Sequence, residues 1–171
     1  EEVTRVCADG ERALRDCMSS SRDPLSLEEM IYSARLMAYA ARKVLASQRV
    51  RADLTRLSED QDREGASALL RQAAETFRSL DGELAELVGL FRRLWLRRAR
   101  HSEIDIALGH FARLRERFAL AGKWLGARIQ QVEAGKTPDY SLDGYAEEAQ
   151  SYEILGQSVR RRWRELGLTL G

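Results

Sequence analysis

Two short acidic pairs, Asp60-Gln61-Asp62 and Asp81-Gly82-Glu83, come closest in this chain to an acid/base constellation. Paired carboxylates act as general acid and base when burial or a neighbour drives their pKa values apart. The hydrophobic pattern assigns both pairs to outer helix faces, so a solvated surface is the favoured reading. His101 and His110 are the two histidines. A metal site inside a helical bundle asks for Glu-x-x-His on facing helices, and a zinc-protease helix for His-Glu-x-x-His. Neither motif occurs. Cys7 and Cys17 stand ten residues apart. On one helix that is about 15 Å of rise, beyond the reach of a disulfide, and the spacing fits no zinc template. The nucleophile elbow Gly-x-Ser-x-Gly and the glycine loops that cradle phosphate are also missing. No metal and no cofactor is expected.

Arginine is the other chemically loaded residue type. Arg92, Arg93, Arg97, Arg98 and Arg100 surround Trp95, and Arg160, Arg161, Arg162 and Arg164 surround Trp163. One reading is a surface for nucleic acid or an acidic partner, with each indole as a stacking platform. The simpler reading is that each cluster ends a helix, where cations suit the dipole while the tryptophan packs inward. The balance of 28 basic against 27 acidic residues, a net charge of +1, favours the simpler one, because no global field exists to collect a polyanion. No nucleic-acid partner is expected.

The elements that must position these residues are helices. The chain has 171 residues, 44% hydrophobic and 32% charged, with two prolines and twelve glycines. That suits one folded domain with long, rarely interrupted helices. No apolar run approaches the roughly 18 residues of a membrane-spanning helix, and Glu1-Glu2-Val3 opens no signal peptide. A cytoplasmic location and no membrane partner are expected. The absence of an initiator methionine suits processing or tag removal, and equally a piece of a larger protein.

The first helix is expected over residues 2–20, ended by Ser19-Ser20-Ser21 and Pro24. The second starts at a capping box, Ser26-x-x-Glu29, and carries the seam Leu27, Met30, Ala34, Met37, Ala41 and Val44 before fading into the charged stretch Arg49–Arg56. The third is the clearest. Ala66, Ala73, Leu80, Leu87 and Leu94 interleave with Leu70, Phe77, Leu84 and Phe91 in a continuous 3-4 repeat. Ser58-x-x-Gln61 is its plausible start, and Gly82 and Gly89 fall on its outer face. The fourth begins near Ser102, with Glu103 and Asp105 at its positive end. Its seam runs Ala107, Phe111, Leu114, Phe118, Ala121, Leu125 and Val132, and Gly135 and Pro138 stop it. A fifth is expected from about Leu142 to Leu166, with Tyr145, Ala149, Tyr152, Gly156, Val159, Trp163 and Leu166 on one face. No segment shows the two-residue period of a strand. The fold class is all-α: a single antiparallel bundle of about five helices with coiled-coil-like seams over residues 1–171.

One segment carries a family signal. Leu94-Trp-Leu-Arg-Arg-Ala-Arg-His-Ser-Glu-Ile-Asp-Ile-Ala-Leu-Gly-His-Phe-Ala-Arg-Leu114 resembles the helical C-terminal region of bacterial family 20 glycoside hydrolases, the β-N-acetylhexosaminidases. There a Trp-Leu-Ala-Arg-Asn-Arg-Pro-like turn leads into a helix of similar apolar rhythm. Trp95, Leu96, Arg98 and Arg100 match it; Arg97, Ala99 and His101 depart from it. The resemblance covers about two dozen residues. It implies a parent enzyme that removes terminal N-acetylhexosamine, in which an adjacent Asp-Glu pair on a barrel strand does the chemistry with the help of the substrate's own acetamido group. Neither a His-x-Gly-Gly-Asp-Glu-like motif nor alternating strands and helices occur in this chain. The resemblance therefore implies a non-catalytic accessory domain that packs on the catalytic barrel of the same polypeptide or mediates a homodimer.

On that reading Trp95, Arg98, Arg100, His101 and Glu103 are the candidate docking or cleft-edge residues. Trp95 is either a core plug or a sugar-stacking face. The competing reading, from another class, is a free-standing helical module that binds a partner helix or an acidic surface. An independent bundle enzyme or metal protein is the weakest alternative.

Overall fold

The computed structural model describes residues 2–59, 65–98 and 104–140, and they fold as four α-helices with no strand among them. Helix α1 spans Glu2–Asp16, α2 Pro24–Glu59, α3 Ala66–Arg98 and α4 Ile104–Glu133. The all-α class is as expected. The fifth expected helix, 142–166, lies outside the described residues.

Helix α1 stops four residues earlier than the sequence suggested. A single 3₁₀ turn, Met18–Ser20, follows it, with Ser20 N donating to Cys17 O at 3.3 Å. The cap of α2 also differs from the expected Ser26-x-x-Glu29 box. Pro24 takes the first position, where its missing N–H leaves no bond unmade. Asp23 then accepts from Ser26 N at 3.1 Å and from the Ser26 hydroxyl. That side-chain hydrogen bond and its backbone companion hold the Asp23 carboxyl below its usual pKa. Glu29 is thereby left free for a different partner.

Helix α2 does not fade at Arg49. It runs on to Glu59 because Val50, Leu54 and Leu57 keep an inward stripe through the charged stretch. At 36 residues it is about 54 Å long. Ser58 lies inside it, its hydroxyl donating to Thr55 O at 2.9 Å, and so does not start the next helix. Helix α3 begins at Ala66, beside Gly65, whose carbonyl accepts from Leu69 N at 3.0 Å.

Seven of the nine residues of the α3 seam are buried, Ala66, Leu70, Ala73, Leu80, Leu84, Leu87 and Leu94, while Phe77 and Phe91 are half-buried. Helix α4 ends in a Schellman arrangement. Gly135 takes the left-handed conformation at φ 74°, Lys136 N reaches Gln131 O at 2.9 Å and Gly135 N reaches Val132 O at 3.0 Å.

Successive helices pack antiparallel, and interhelical ion pairs mark the register. Arg35 of α2 meets Glu11 of α1; Arg42, Arg97 and Arg98 join α2 to α3 through Glu83, Glu28 and Glu29; Arg115 and Arg71 join α3 to α4 through Asp81 and Glu133. Two apolar clusters fill the bundle. One gathers Val50, Leu54, Leu57, Ala66, Leu70, Ala73, Leu125 and Tyr140. The other gathers Tyr39, Leu80, Leu84, Leu87 and Phe118. Phe77 packs against both, its ring stacked 6.0 Å from that of Phe118.

Candidate functional surface

Among the described residues, three places stand out for their exposed or chemically loaded side chains: the end of the bundle where α3 meets α2, a polar cleft between α1 and α3, and the outer face of α2.

At the first, Trp95 is half-buried. Its ring lies 5.4 Å from Phe91, and Phe91 also meets Tyr32 at 5.9 Å and Phe111 at 5.6 Å. The indole thus belongs to an aromatic knot that joins α2, α3 and α4. Arg98 reaches back to the start of α2. Its Nε donates to Glu29 Oε1 at 2.6 Å, and Nη2 donates to Ser26 Oγ at 2.7 Å and to Asp23 Oδ2 at 3.5 Å. The hydrogen bond to Glu29 raises the Arg98 pKa above its ordinary value. Arg97 pairs with Glu28 beside it. Of the candidate residues, Trp95 and Arg98 therefore sit at one end of the bundle with their groups engaged inside the chain. Arg100, His101 and Glu103 lie outside the described residues.

The second place is a cleft of about 600 Å³, with Glu11 of α1, Arg35 and Arg42 of α2, and Glu83, Glu86 and Arg93 of α3 on its walls. Glu11 accepts from Arg35 Nε at 2.9 Å and from Arg15 Nη2 at 2.8 Å. These bonds, that from Arg35 foremost, hold its pKa below the ordinary value. A carboxylate kept ionised in this way is a poor proton donor at neutral pH. The Asp81-Gly82-Glu83 pair is likewise committed, and it is not the solvated outer face the sequence suggested. Asp81 accepts from Arg115 Nε at 2.7 Å and Nη2 at 2.8 Å, while Glu83 pairs with Arg42. The Arg115 hydrogen bonds lower the Asp81 pKa. Each carboxylate clasps a different neighbouring helix, so the two do not form an acid/base couple. The Asp60/Asp62 pair lies outside the described residues. Among the described residues, no group of three His, Cys, Asp or Glu side chains is placed to hold a metal ion, and both cysteines are free thiols, Cys7 buried and Cys17 exposed.

The third place corrects the sequence reading of α2. Met30, Met37 and Val44, expected in the buried seam, are 54%, 59% and 50% exposed. The side of α2 facing the core carries Tyr39, Val50, Leu54 and Leu57 instead. Because seven residues bring a helix almost back to the same face, the two methionines and the valine form one outward stripe. Val3 and Val6 of α1 are exposed as well. The antiparallel register fixed by Glu11 and Arg35 sets them near the level of Met37 and Val44.

Comparison with protein families, with curated proteins and with solved structures found no match.

The stripe starts at Met30, next to the Glu29 that Arg98 grips, so its first residue lies at the end of the bundle that holds Arg98 and Trp95. The sequence did contain the signal for it. The 4-3 repeat of α2 is legible in the residues, but periodicity alone points it inward. No described helix is long and apolar enough to cross a membrane.

Proposed function

We propose that this chain is a non-catalytic helical docking domain. The observation that carries the reading is the outward stripe of Met30, Met37 and Val44 on α2. Aligned apolar side chains that a folded domain leaves exposed mark interaction surfaces, and methionine adapts its shape to the partner it meets. The carboxylates held in ion pairs, Glu11 in the cleft and Asp81 against Arg115, favour docking over chemistry.

The partner that the resemblance of residues 94–114 implies is the catalytic barrel of a β-N-acetylhexosaminidase in the same polypeptide, or a second copy of such an enzyme. A specific observation favours it. Arg98 of the matched segment grips Glu29, the neighbour of Met30 where the stripe begins. A cytoplasmic setting agrees with the two free thiols.

The test uses the charged variant Met30→Glu/Met37→Glu. In the complete polypeptide it should weaken packing or dimerisation, read as a shifted sedimentation profile or a raised KM on a chromogenic N-acetylglucosaminide. Residues 1–171 alone should release no chromophore. Turnover by this chain that disappears with one carboxylate substitution would sink the docking reading. A complete polypeptide without N-acetylhexosaminidase activity, in which the charged variant still loses a protein partner, would leave a free-standing interaction module instead.

A further inference from the structure

The outward stripe of α2 ends in opposite charges. Asp23, Met30, Met37, Val44 and Arg51 stand at intervals of seven residues, and all five are exposed. A step of seven brings a helix almost back to the same side, so an acid just ahead of the first turn and a base beyond Val44 bracket the apolar residues. The flanks of the stripe are small or uncharged: Ser33, Ala40 and Ser47 on one side, Ala34, Ala41 and Gln48 on the other. Arg35 and Arg42 lie further round the helix, where they meet Glu11 and Glu83.

Such a face is complementary to itself when reversed. Turning it about Met37 exchanges Met30 with Val44, Ala34 with Ala40, Ser33 with Ala41 and Asp23 with Arg51. Large side chains meet large ones, small meet small, and each charge meets its opposite. A twofold contact between identical surfaces asks for this, because residue i meets j while j meets i. The small flanks let two helices approach to the near end of the usual spacing, about 8 Å. Both charges are available. Arg51 makes no ion pair among the described residues. Asp23 bonds Ser26 and stands 3.5 Å from Arg98, yet its side chain is 59% exposed and its carboxylate has acceptor sites to spare. A parallel pairing would instead set Asp23 against Asp23 and Arg51 against Arg51, and would align the two helix dipoles.

We propose that α2 pairs with α2 of a second copy of this chain, antiparallel about a twofold axis at Met37. This pairing rests on the docking reading of the same stripe and names its occupant. The seam runs about 42 Å from Asp23 to Arg51, but each copy brings only three large side chains to it. The contact therefore belongs to the small, transient class of interface. The folded monomer persists on dilution, and the pair forms as concentration rises.

Cysteine trapping in the full chain tests the pairing. With the exposed Cys17 changed to serine, Met37→Cys should form a disulfide-linked dimer under copper phenanthroline, because the two copies of residue 37 face each other across the axis. Met30→Cys alone should not, since its two copies would lie about 21 Å apart; mixed with Val44→Cys it should. Self-linkage of Met30→Cys and of Val44→Cys would make the pairing parallel and overturn the proposal. So would linkage at residue 37 no greater than at an exposed position on α3, Ser79→Cys. In sedimentation runs over a range of concentrations, Arg51→Glu should weaken self-association about threefold to tenfold at low salt, and the loss should fade at about 1 M salt. Unaltered association of that variant would also overturn the register. The docking reading fails separately. It falls if Met30→Glu/Met37→Glu costs the complete polypeptide no partner at all, whereas absent self-linkage with a partner still displaced by that variant removes only the second copy as occupant.

Discussion

Arg98 donates through Nε to Glu29 Oε1 at 2.6 Å, joining the last turn of α3 to the second turn of α2. Ser26 and Asp23 complete the grip, so one guanidinium reaches the side chain that caps α2 and a carboxylate one turn further on. The arrangement is exposed, and exposed ion pairs are screened by salt. Arg98→Ala should lower the thermal midpoint slightly at low ionic strength, and the difference should nearly vanish at about 1 M salt. A salt-independent difference in paired melts would mean that packing of the side-chain stem, rather than charge, holds the junction.

Leu84 is fully buried at the centre of α3, whereas Met37 stands out from α2. Leu84→Ala should cost about 2–5 kcal/mol in denaturant melts, the usual range for a leucine truncated in a packed core. Met37→Glu should change stability by less than about 0.5 kcal/mol. If Met37→Glu proved as damaging as Leu84→Ala, the stripe would be buried in solution, against a second copy or another part of the chain.

The Tyr39 ring is buried and its hydroxyl finds no hydrogen-bond partner among the described residues. Burial, helped by the nearby charges of Glu83 and Asp81, pushes its pKa up to about 12. In the unfolded chain a tyrosine ionises near pH 10. Between those values the folded state holds the proton that the unfolded state releases, so stability falls as pH rises through that window. Tyr39→Phe should flatten the alkaline loss. It should also stabilise the protein by about 1 kcal/mol at neutral pH by removing an unsatisfied hydroxyl. Equilibrium unfolding from pH 8 to 12 would show both effects, and a destabilised Phe variant would reveal an acceptor for the hydroxyl.

On the acid side the sign is reversed. Asp81 and Glu11 have depressed pKa values because Arg115 and Arg35 hydrogen-bond their ionised forms. Their contribution is complete above the ordinary carboxylate pKa of about 4 and is lost as pH falls through the lower folded values. Asp81→Asn should therefore shrink the stability difference between pH 6 and pH 3, measured by urea midpoints. An unchanged difference would remove the Asp81–Arg115 clasp from the acid response.

The sequence made α3 legible because its apolar residues occupy a single stripe. Counting threes and fours from Ala66 to Leu94 could give only one inward face, and that face is buried except at the half-buried Phe77 and Phe91. Helix α2 is apolar on more than one side. Leu27, Met30, Ala34, Met37, Ala41 and Val44 keep the more regular repeat, yet the core takes Tyr39, Val50, Leu54 and Leu57. Periodicity measures how apolar residues are spaced, not which neighbour arrives. The faces are chosen by α3 on one side and α1 on the other, and neither choice is written in α2.

The candidate site was obscured for a related reason. Arg98 and Glu29 are far apart in the chain, as are Asp81 and Arg115. Arginines that read as a surface cluster along one helix become interhelical clasps once the helices fold side by side. The end of α2 was missed because Arg49, Arg51 and Arg56 outweighed the three apolar residues between and beside them.

Phe77 packs against the cluster around Leu70 and the cluster around Leu84 alike. A bundle this long could come apart one end at a time, with each half melting on its own schedule. A single ring wedged into both halves ties their fates together, because neither can loosen without exposing a face of the same side chain. The molecule should therefore open as one cooperative unit along the length of α3, and Phe77→Ala is the substitution that would let its two ends fray separately.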